Sequence, residues 1–253
     1  MVYGIYQSAG GMQVNQYAMD VLANNLANAS TTGFKQDLAL LRERKVETRE
    51  QITDASLRNE ILDEMTGGSL VAPTFTAFEQ GSIEVTDSPL DVAIEGDGFF
   101  AVLDGDNVRY TRDGRFTMNR DGELVTAAGN HKVLDNTGKT ISVGSEAVGQ
   151  ASIEGDGSVR VGDTVIATID IVDFEDKTRL RKVGANMLQP MGVESRDTNA
   201  VLRVRSLEHS TVDPTMSMVK MMQAMRIYEL NSRMVGLADS TLGRAVNDIA
   251  RIR

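Results

Sequence analysis

Cysteine is absent from the 253 residues. That removes disulfides and thiolate metal sites but leaves the compartment open, since a cysteine-free chain works in reducing and oxidising places alike. Tryptophan is absent as well, aromatic residues make up 5%, and glycine occupies 23 positions. This mix suits many tight turns better than a large enzyme cleft. No run of about 18 apolar residues occurs, so no transmembrane helix is expected. The opening stretch from Met1 to Tyr17 has neither a basic start nor a continuous apolar core, so a cleaved secretory signal is not expected either. Positive charge is in short supply, with 26 Lys and Arg against 36 Asp and Glu and a net charge of −10. Such a chain is poorly suited to the nucleic-acid backbone or to anionic lipid, both of which reward clustered Lys and Arg.

What is present is ordered by period. Near the C-terminus, Met221, Tyr228, Val235, Leu242 and Ile249 recur every seven residues, and Met218, Met225 and Val246 stand three residues before members of that series. Apolar residues at such spacing describe the seam of a coiled coil or helix bundle. Asp213-Pro214 supplies the helix start, with Asp as cap and Pro in the first turn. A helix of about 36 residues reaches about 54 Å and needs another helix, from this chain or from neighbours, to cover its seam. The other end offers one. Ile5, Met12, Met19 and Leu26 also repeat every seven residues, with Ala9, Leu22 and Ala23 filling the remaining seam positions. An amphipathic helix is expected over residues 3–29 even though Gly10-Gly11 costs about 1 kcal/mol per glycine relative to alanine. Its face is rich in Asn and carries little charge, a composition suited to burial among neighbours. Gly33 is expected to act as the residue just past the helix end.

Between the ends the pattern changes. Residues 36–66 are dense in charge of both signs, with a short helix expected near 54–65, and Gly67-Gly68 and Pro73 break the chain. From about residue 70 to 205, short β-rich runs alternate with turn signals. Asp-Gly recurs at 97–98, 113–114, 121–122 and 156–157, and Asn-Thr-Gly stands at 136–138. Asp-Gly between apolar runs marks hairpins, because their tight turns need φ > 0. An antiparallel β domain follows. The fold class is therefore α+β, with terminal helices forming a coiled-coil domain and a central all-β domain. The boundaries fall at 1–35, 36–70, 71–205 and 206–253.

Chemistry is sparse. Gly138-Lys139-Thr140 lacks the rest of a phosphate loop, with Val133 where glycine is required. Asp104-Gly105-Asp106-Asn107 and Asn119-Arg120-Asp121-Gly122 lack a full set of calcium ligands and read as turns. His131 and His209 are the only histidines, and no nucleophile elbow accompanies them. The Asn28-Ala29-Ser30 sequon falls inside a predicted helix and is read as chance. The Met-rich stretch 216–234 reads as adaptable packing residues and not as a soft-metal site. No catalytic residue, cofactor or metal is expected.

Several blocks carry a resemblance. Leu22 through Lys35 (LANNLANASTTGFK) closely resembles the N-terminal signature of bacterial flagellar rod and hook proteins. Gln80-Gly81-Ser82-Ile83, Ser88 through Ile94 and Gly98-Phe99-Phe100 resemble the family's next block, and Tyr110 through Phe116 with Gly122 through Thr126 follow in the family's order. Arg226-Ile227-Tyr228-Glu229-Leu230-Asn231-Ser232 is similar to its C-terminal run. Ile5-Tyr6, Leu41-Arg42 and Val46-Glu47 look closer to the proximal-rod type. Ser210-Thr211-Val212 and the segment 48–70 depart from the distal-rod pattern, which is the alternative.

The resemblance implies a non-catalytic structural subunit of the basal-body rod. Its terminal helices would pair in an inner tube and order on docking, with the β domain outside. It implies export through the flagellar type III apparatus without a cleaved signal. The implied partners are other rod and hook axial proteins and copies of the chain itself, with no nucleic acid and no membrane insertion. The expected assembly interface comprises Ile5, Met12, Met19, Leu22, Asn25, Leu26, Asn28 and Phe34 at the front. At the back it comprises Met218, Met221, Met225, Tyr228, Asn231, Val235, Leu242, Val246 and Ile249. A secreted β-domain hydrolase or glycan binder with helical tails is the reading from another class.

Overall fold

A computed structural model describes residues 2–43, 69–144, 149–184, 186–198 and 200–251. The short helix expected near 54–65 lies outside them. The chain divides into two compact units, one drawn from residues 1–27, 37–75 and 213–253, the other from 28–36 and 76–212.

The first unit is built on two helices. α1 (Val2–Ala27) runs unbroken through Gly10-Gly11, and α2 (Pro214–Arg251) spans 38 residues, about 57 Å at 1.5 Å per residue. The start of α2 follows the sequence. The Asp213 carboxylate accepts the Met216 N–H at 3.0 Å, its carbonyl accepts the Ser217 N–H at 3.0 Å, and Pro214 needs no donor in the first turn. The two helices pack against each other. Beside them lie β1 (Asp37–Leu38), β2 (Leu41–Glu43) and β3 (Ser69–Val71), the last two paired antiparallel with Leu41 opposite Val71. β4 (Phe75–Thr76) lies at the unit boundary. The buried side chain of Asn25 closes the end of α1. Its amide donates to the Asp37 carbonyl at 2.7 Å, and its oxygen accepts the Asp37 N–H at 2.9 Å. It therefore imitates a strand neighbour for the Asp37 backbone.

The second unit is antiparallel throughout. Its strands in chain order are β5 (Ile83–Val85), β6 (Val92–Glu95), β7 (Phe99–Asp104), β8 (Asn107–Thr111), β9 (Phe116–Met118), β10 (Leu124–Thr126) and β11 (Lys132–Val133). They continue with β12 (Ala151–Ile153), β13 (Ser158–Val161), β14 (Thr164–Thr168), β15 (Ile171–Phe174), β16 (Leu180–Lys182), β17 (Met187–Pro190), β18 (Ser195–Asp197), β19 (Val201–Val204) and β20 (Ser206–Glu208). The main sheet runs β16-β17-β8-β7-β11-β10-β9. β7 is its centre, with β8 along one edge and the other edge shared between β11 at Val102–Leu103 and β15 at Phe99–Phe100. Strand alternation splits β7 between two cores. Phe100 and Val102 join Ile94, Phe116, Leu124, Val133 and Leu202. Phe99 points the other way, to Val172, Phe174, Leu180 and Leu188. Edge-on ring pairs fix both, Phe100 with Phe116 at 5.1 Å and Tyr110 with Phe174 at 4.9 Å between centroids.

The turn signals divide in two. Asp121-Gly122 and Asp156-Gly157 sit in the β9–β10 and β12–β13 hairpins, with φ of 75° and 82° at the glycines. Asn136-Thr137-Gly138 turns the chain between Leu134 and Thr140, which face each other. Asp113-Gly114 is not a hairpin, because β8 and β9 pair with other strands. Gly114 is there for proximity. Its carbonyl accepts the Val92 N–H at 3.0 Å, and a Cβ would stand 1.6 Å from the Val92 carbonyl oxygen. Asp97-Gly98 likewise joins strands that do not pair with each other.

Phe100 is fully buried in the larger core, so Phe100→Ala should cost about 3–5 kcal/mol of β-unit stability. Urea unfolding followed by near-UV circular dichroism measures it. A loss under about 1 kcal/mol would mean that β7 is not the packing centre.

Candidate assembly surface

From Pro214 to Asn247 the only residues of α2 withdrawn from solvent are Ser217, Met221, Ala224, Tyr228, Asn231, Val235, Ala238 and Leu242. Their spacing alternates four and three, which keeps one line facing a neighbour along a helix. One series of this seam was expected, that of Met221, Tyr228, Val235 and Leu242. The other consists of Ser217, Ala224, Asn231 and Ala238, of which only Asn231 was among the expected interface residues, while the larger Met218, Met225 and Val246 stand exposed. The side chain of Ile249 lies outside those described. On α1 the deepest residues are Val14, Val21 and Asn25, at the same spacing as Gly11 and Ala18. Ile5, Met12, Met19, Leu22 and Leu26 are half-buried, and Ala9 and Ala23 are exposed. Small seam residues let helix backbones approach closely. A Cβ at Gly11 would come 2.9 Å from the Asn231 side-chain nitrogen, so the glycine that weakens α1 makes room for an amide of α2.

The rest of α2 is unusually apolar for an exposed surface. Met218, Met222 and Met225, spaced four and three, form one stripe at 51–55% exposure. Val219, Leu230, Met234 and Leu237 form a second, with Leu237 61% exposed. A helix with apolar stripes beyond the seam it already buries is suited to further neighbours. Lys220, Arg226, Glu229, Arg233, Asp239 and Arg244 interleave them with both signs of charge.

The β unit holds the other concentrated feature, three buried charges. Glu208 is 1% exposed. Its Oε1 receives the Lys35 ammonium at 2.6 Å and the Gly81 N–H at 2.7 Å, and its Oε2 receives the Arg112 guanidinium at 3.3 Å. Lys35 also donates to the Glu79 carbonyl, and Arg112 donates to the carbonyls of Ile94 and Gly96 while lying over the Phe99 ring. Backbone bonds tie the same segments together. The Gly33 N–H donates to the Glu208 carbonyl at 2.7 Å, and the Thr211 N–H to the Phe34 carbonyl at 3.0 Å. Gly33 is therefore not the end residue of α1, which stops at Ala27. Its φ of 66° and the 2.4 Å that would separate a Cβ from the Arg112 carbonyl explain the glycine. Phe34 is buried here under the Lys182 ammonium, 4.0 Å from the ring centroid. Asn28 sits half-buried in the preceding turn, accepting from Thr31. These interactions fasten the residues that follow α1 in sequence to those that precede α2.

Burial pushes the Lys35 ammonium below lysine's ordinary range, and the Glu208 carboxylate pulls it partly back. Burial likewise lowers Arg112 against the same opposing charge. Next to Arg112, the buried Asp113 carboxyl is raised by loss of water, although its Oδ1 accepts the Arg115 N–H at 3.1 Å. The histidines make surface pairs, His131 with Asp104 and His209 with Glu84. Among the described residues no three His, Asp or Glu side chains cluster as metal ligands. An open cleft of about 500 Å³ near Asp156, Asp170 and Thr198 contains neither histidine nor lysine in its lining.

Three family models match the chain. Residues 5–35 match a flagella basal body rod protein model, residues 93–161 the D1 domain of flagellar hook proteins FlgE/F/G, and residues 204–248 the C-terminal part of flagellar basal body rod FlgEFG proteins. The flagellar basal-body rod protein FlgG of Borreliella burgdorferi is 33% identical across 98% of both chains. The rod protein FlgF of Caulobacter vibrioides is 34% identical across 92% of both. FlgG of Bacillus subtilis is 31% identical over 98% of this chain and 99% of its own length.

Removing one partner of a buried ion pair leaves the others uncompensated. Lys35→Met should therefore cost about 3–5 kcal/mol of β-unit stability by urea unfolding, whereas exchange of an exposed lysine such as Lys220 should cost almost nothing. Equal small losses would mean the cluster is incidental. A second test concerns Asp113. A carboxyl raised in the fold favours the folded state at low pH, and that contribution is lost as pH rises through its folded pKa. Asp113→Asn keeps the acceptor oxygen and cannot ionise, so its stability relative to the parent should improve between about pH 4 and about pH 7. A difference that is flat or falls over that range would contradict the assignment.

Proposed function

We propose, for a chain that belongs to the flagellar basal-body rod protein family and is a structural subunit of that rod, that α1 and α2 pair as a coiled coil in the tube wall and that the outer stripes of α2 are covered by the terminal helices of neighbouring subunits. The observation that carries this reading is the pattern of α2. Its seam residues are already withdrawn from solvent within the unit, yet Met218, Met222, Met225, Leu230, Met234 and Leu237 remain exposed. A lone molecule gains nothing from that arrangement, and a helical polymer uses it at every contact. Head-to-tail contacts between unlike faces extend without closing a ring. The neighbours are other rod and hook proteins and copies of this chain, in the basal body. The terminal helices take their final order on docking, so that the ordering cost falls at assembly. Export proceeds through the flagellar type III apparatus without a cleaved signal. Relatives named FlgF and FlgG match at almost equal identity, 34% and 33%, so identity does not rank the proximal-rod reading above the distal one. The ion cluster holds the segment that follows α1 against the one that precedes α2 within the β unit.

Met225 is exposed and has no place in the seam. Met225→Asp should therefore leave circular dichroism and the unfolding midpoint of the monomer unchanged while abolishing sedimentable polymer from concentrated protein. A variant that polymerises like the parent would refute the outer stripe as an interface.

A further inference from the structure

Sulfur in this chain is confined to methionine, since there is no cysteine, and its exposed sulfur is concentrated in one place. Among the described residues six methionines are exposed, and five of them, Met216, Met218, Met222, Met225 and Met234, lie on α2; the sixth is Met191 in the β unit. Met187 is buried at 6% exposure, and Met12, Met19, Met118 and Met221 are half-buried. The five on α2 are 51–58% exposed. A thioether at that exposure meets a dissolved oxidant freely, and its product, a sulfoxide, is polar and chiral where the parent is apolar and adaptable.

We propose that these methionines make α2 a peroxide-sensitive modification site that switches off self-association of the chain. The step balances simply. The thioether sulfur attacks one oxygen of the peroxide, the O–O bond breaks as the S–O bond forms, and water leaves. Sulfur is oxidised by two electrons and the peroxide is reduced by two. A thiol-dependent sulfoxide reductase returns the methionine. The occupant whose docking is lost is a second copy of this chain. The mixed charges that interleave the stripes, Lys220, Arg226 and Arg233 beside Glu229 and Asp239, let this face meet charges of either sign on the helices of a neighbouring copy. Burying a sulfoxide oxygen against an apolar stripe leaves it without hydrogen bonds, which disfavours contact. The inference rests on the proposed assembly role of α2, and it adds a control on that surface.

The test uses the purified full-length chain and hydrogen peroxide. Peptide mass mapping should find the five α2 methionines and Met191 oxidised several-fold faster than Met187. Sedimentation of concentrated protein should show polymer falling by about tenfold once the five are converted. A variant with leucine at all five α2 positions should polymerise before and after peroxide, whereas Met191→Leu should remain as sensitive as the parent. Oxidation of the α2 methionines no faster than Met187, or unchanged polymer from fully oxidised protein, would overturn the inference and leave the assembly role standing. Untreated protein that stays monomeric at every concentration would overturn both.

Discussion

A carboxylate taken fully out of water has to be answered on every side, and the Glu208 carboxylate is answered by an ammonium, a guanidinium and a backbone N–H. The cost of desolvating three charges is large, and a well-packed apolar trio would serve bulk stability as well. What the charges supply is register. Lys35, Gly81, Arg112 and Glu208 come from four separate sequence blocks, and only one alignment of those blocks satisfies the carboxylate. Lys35 follows α1 in sequence and Glu208 precedes α2, so within the β unit the same alignment holds together the segments next to both helices.

This arrangement was largely hidden in the sequence. The partners Lys35 and Glu208 are 173 residues apart, and Ser206-Leu207-Glu208 inverts the usual strand alternation by burying Glu208 more deeply than Leu207. Lys35, Gly81 and Arg112 each fall in a block that resembles the family, but nothing in those blocks joined them to one another or to Glu208. The α+β class, the cap at Asp213 and the spacing of Met221, Tyr228, Val235 and Leu242 were legible, because period and capping chemistry are local. In the other series Ser217 and Ala224 escaped notice for a physical reason. Counting apolar size favours Met218 and Met225 over Ser217 and Ala224, whereas close helix approach favours the small residues. Gly33 was misassigned on similar grounds, since its positive φ serves a distant backbone contact and not the end of α1.

The division of labour is clear. The β unit carries the aromatic cores and the charge cluster, which resist deformation. The helical unit carries a narrow seam of small residues and broad exposed stripes of flexible methionine and leucine. A rod subunit needs both, a firm body and an adaptable contact surface, and this chain separates them by residue type.

The discontinuity of the helical unit bears on how the chain matures. α1 is made before the whole β unit and its partner α2 after it, so the seam of α1 has nothing of α2 to cover it while the β unit is being synthesised. The β unit cannot close early either, since Glu208 and β20 come near its end. Native contacts of such long sequence separation form late and slowly. With its closing strand and its second helix still to be made, a nascent chain of this topology has no finished fold.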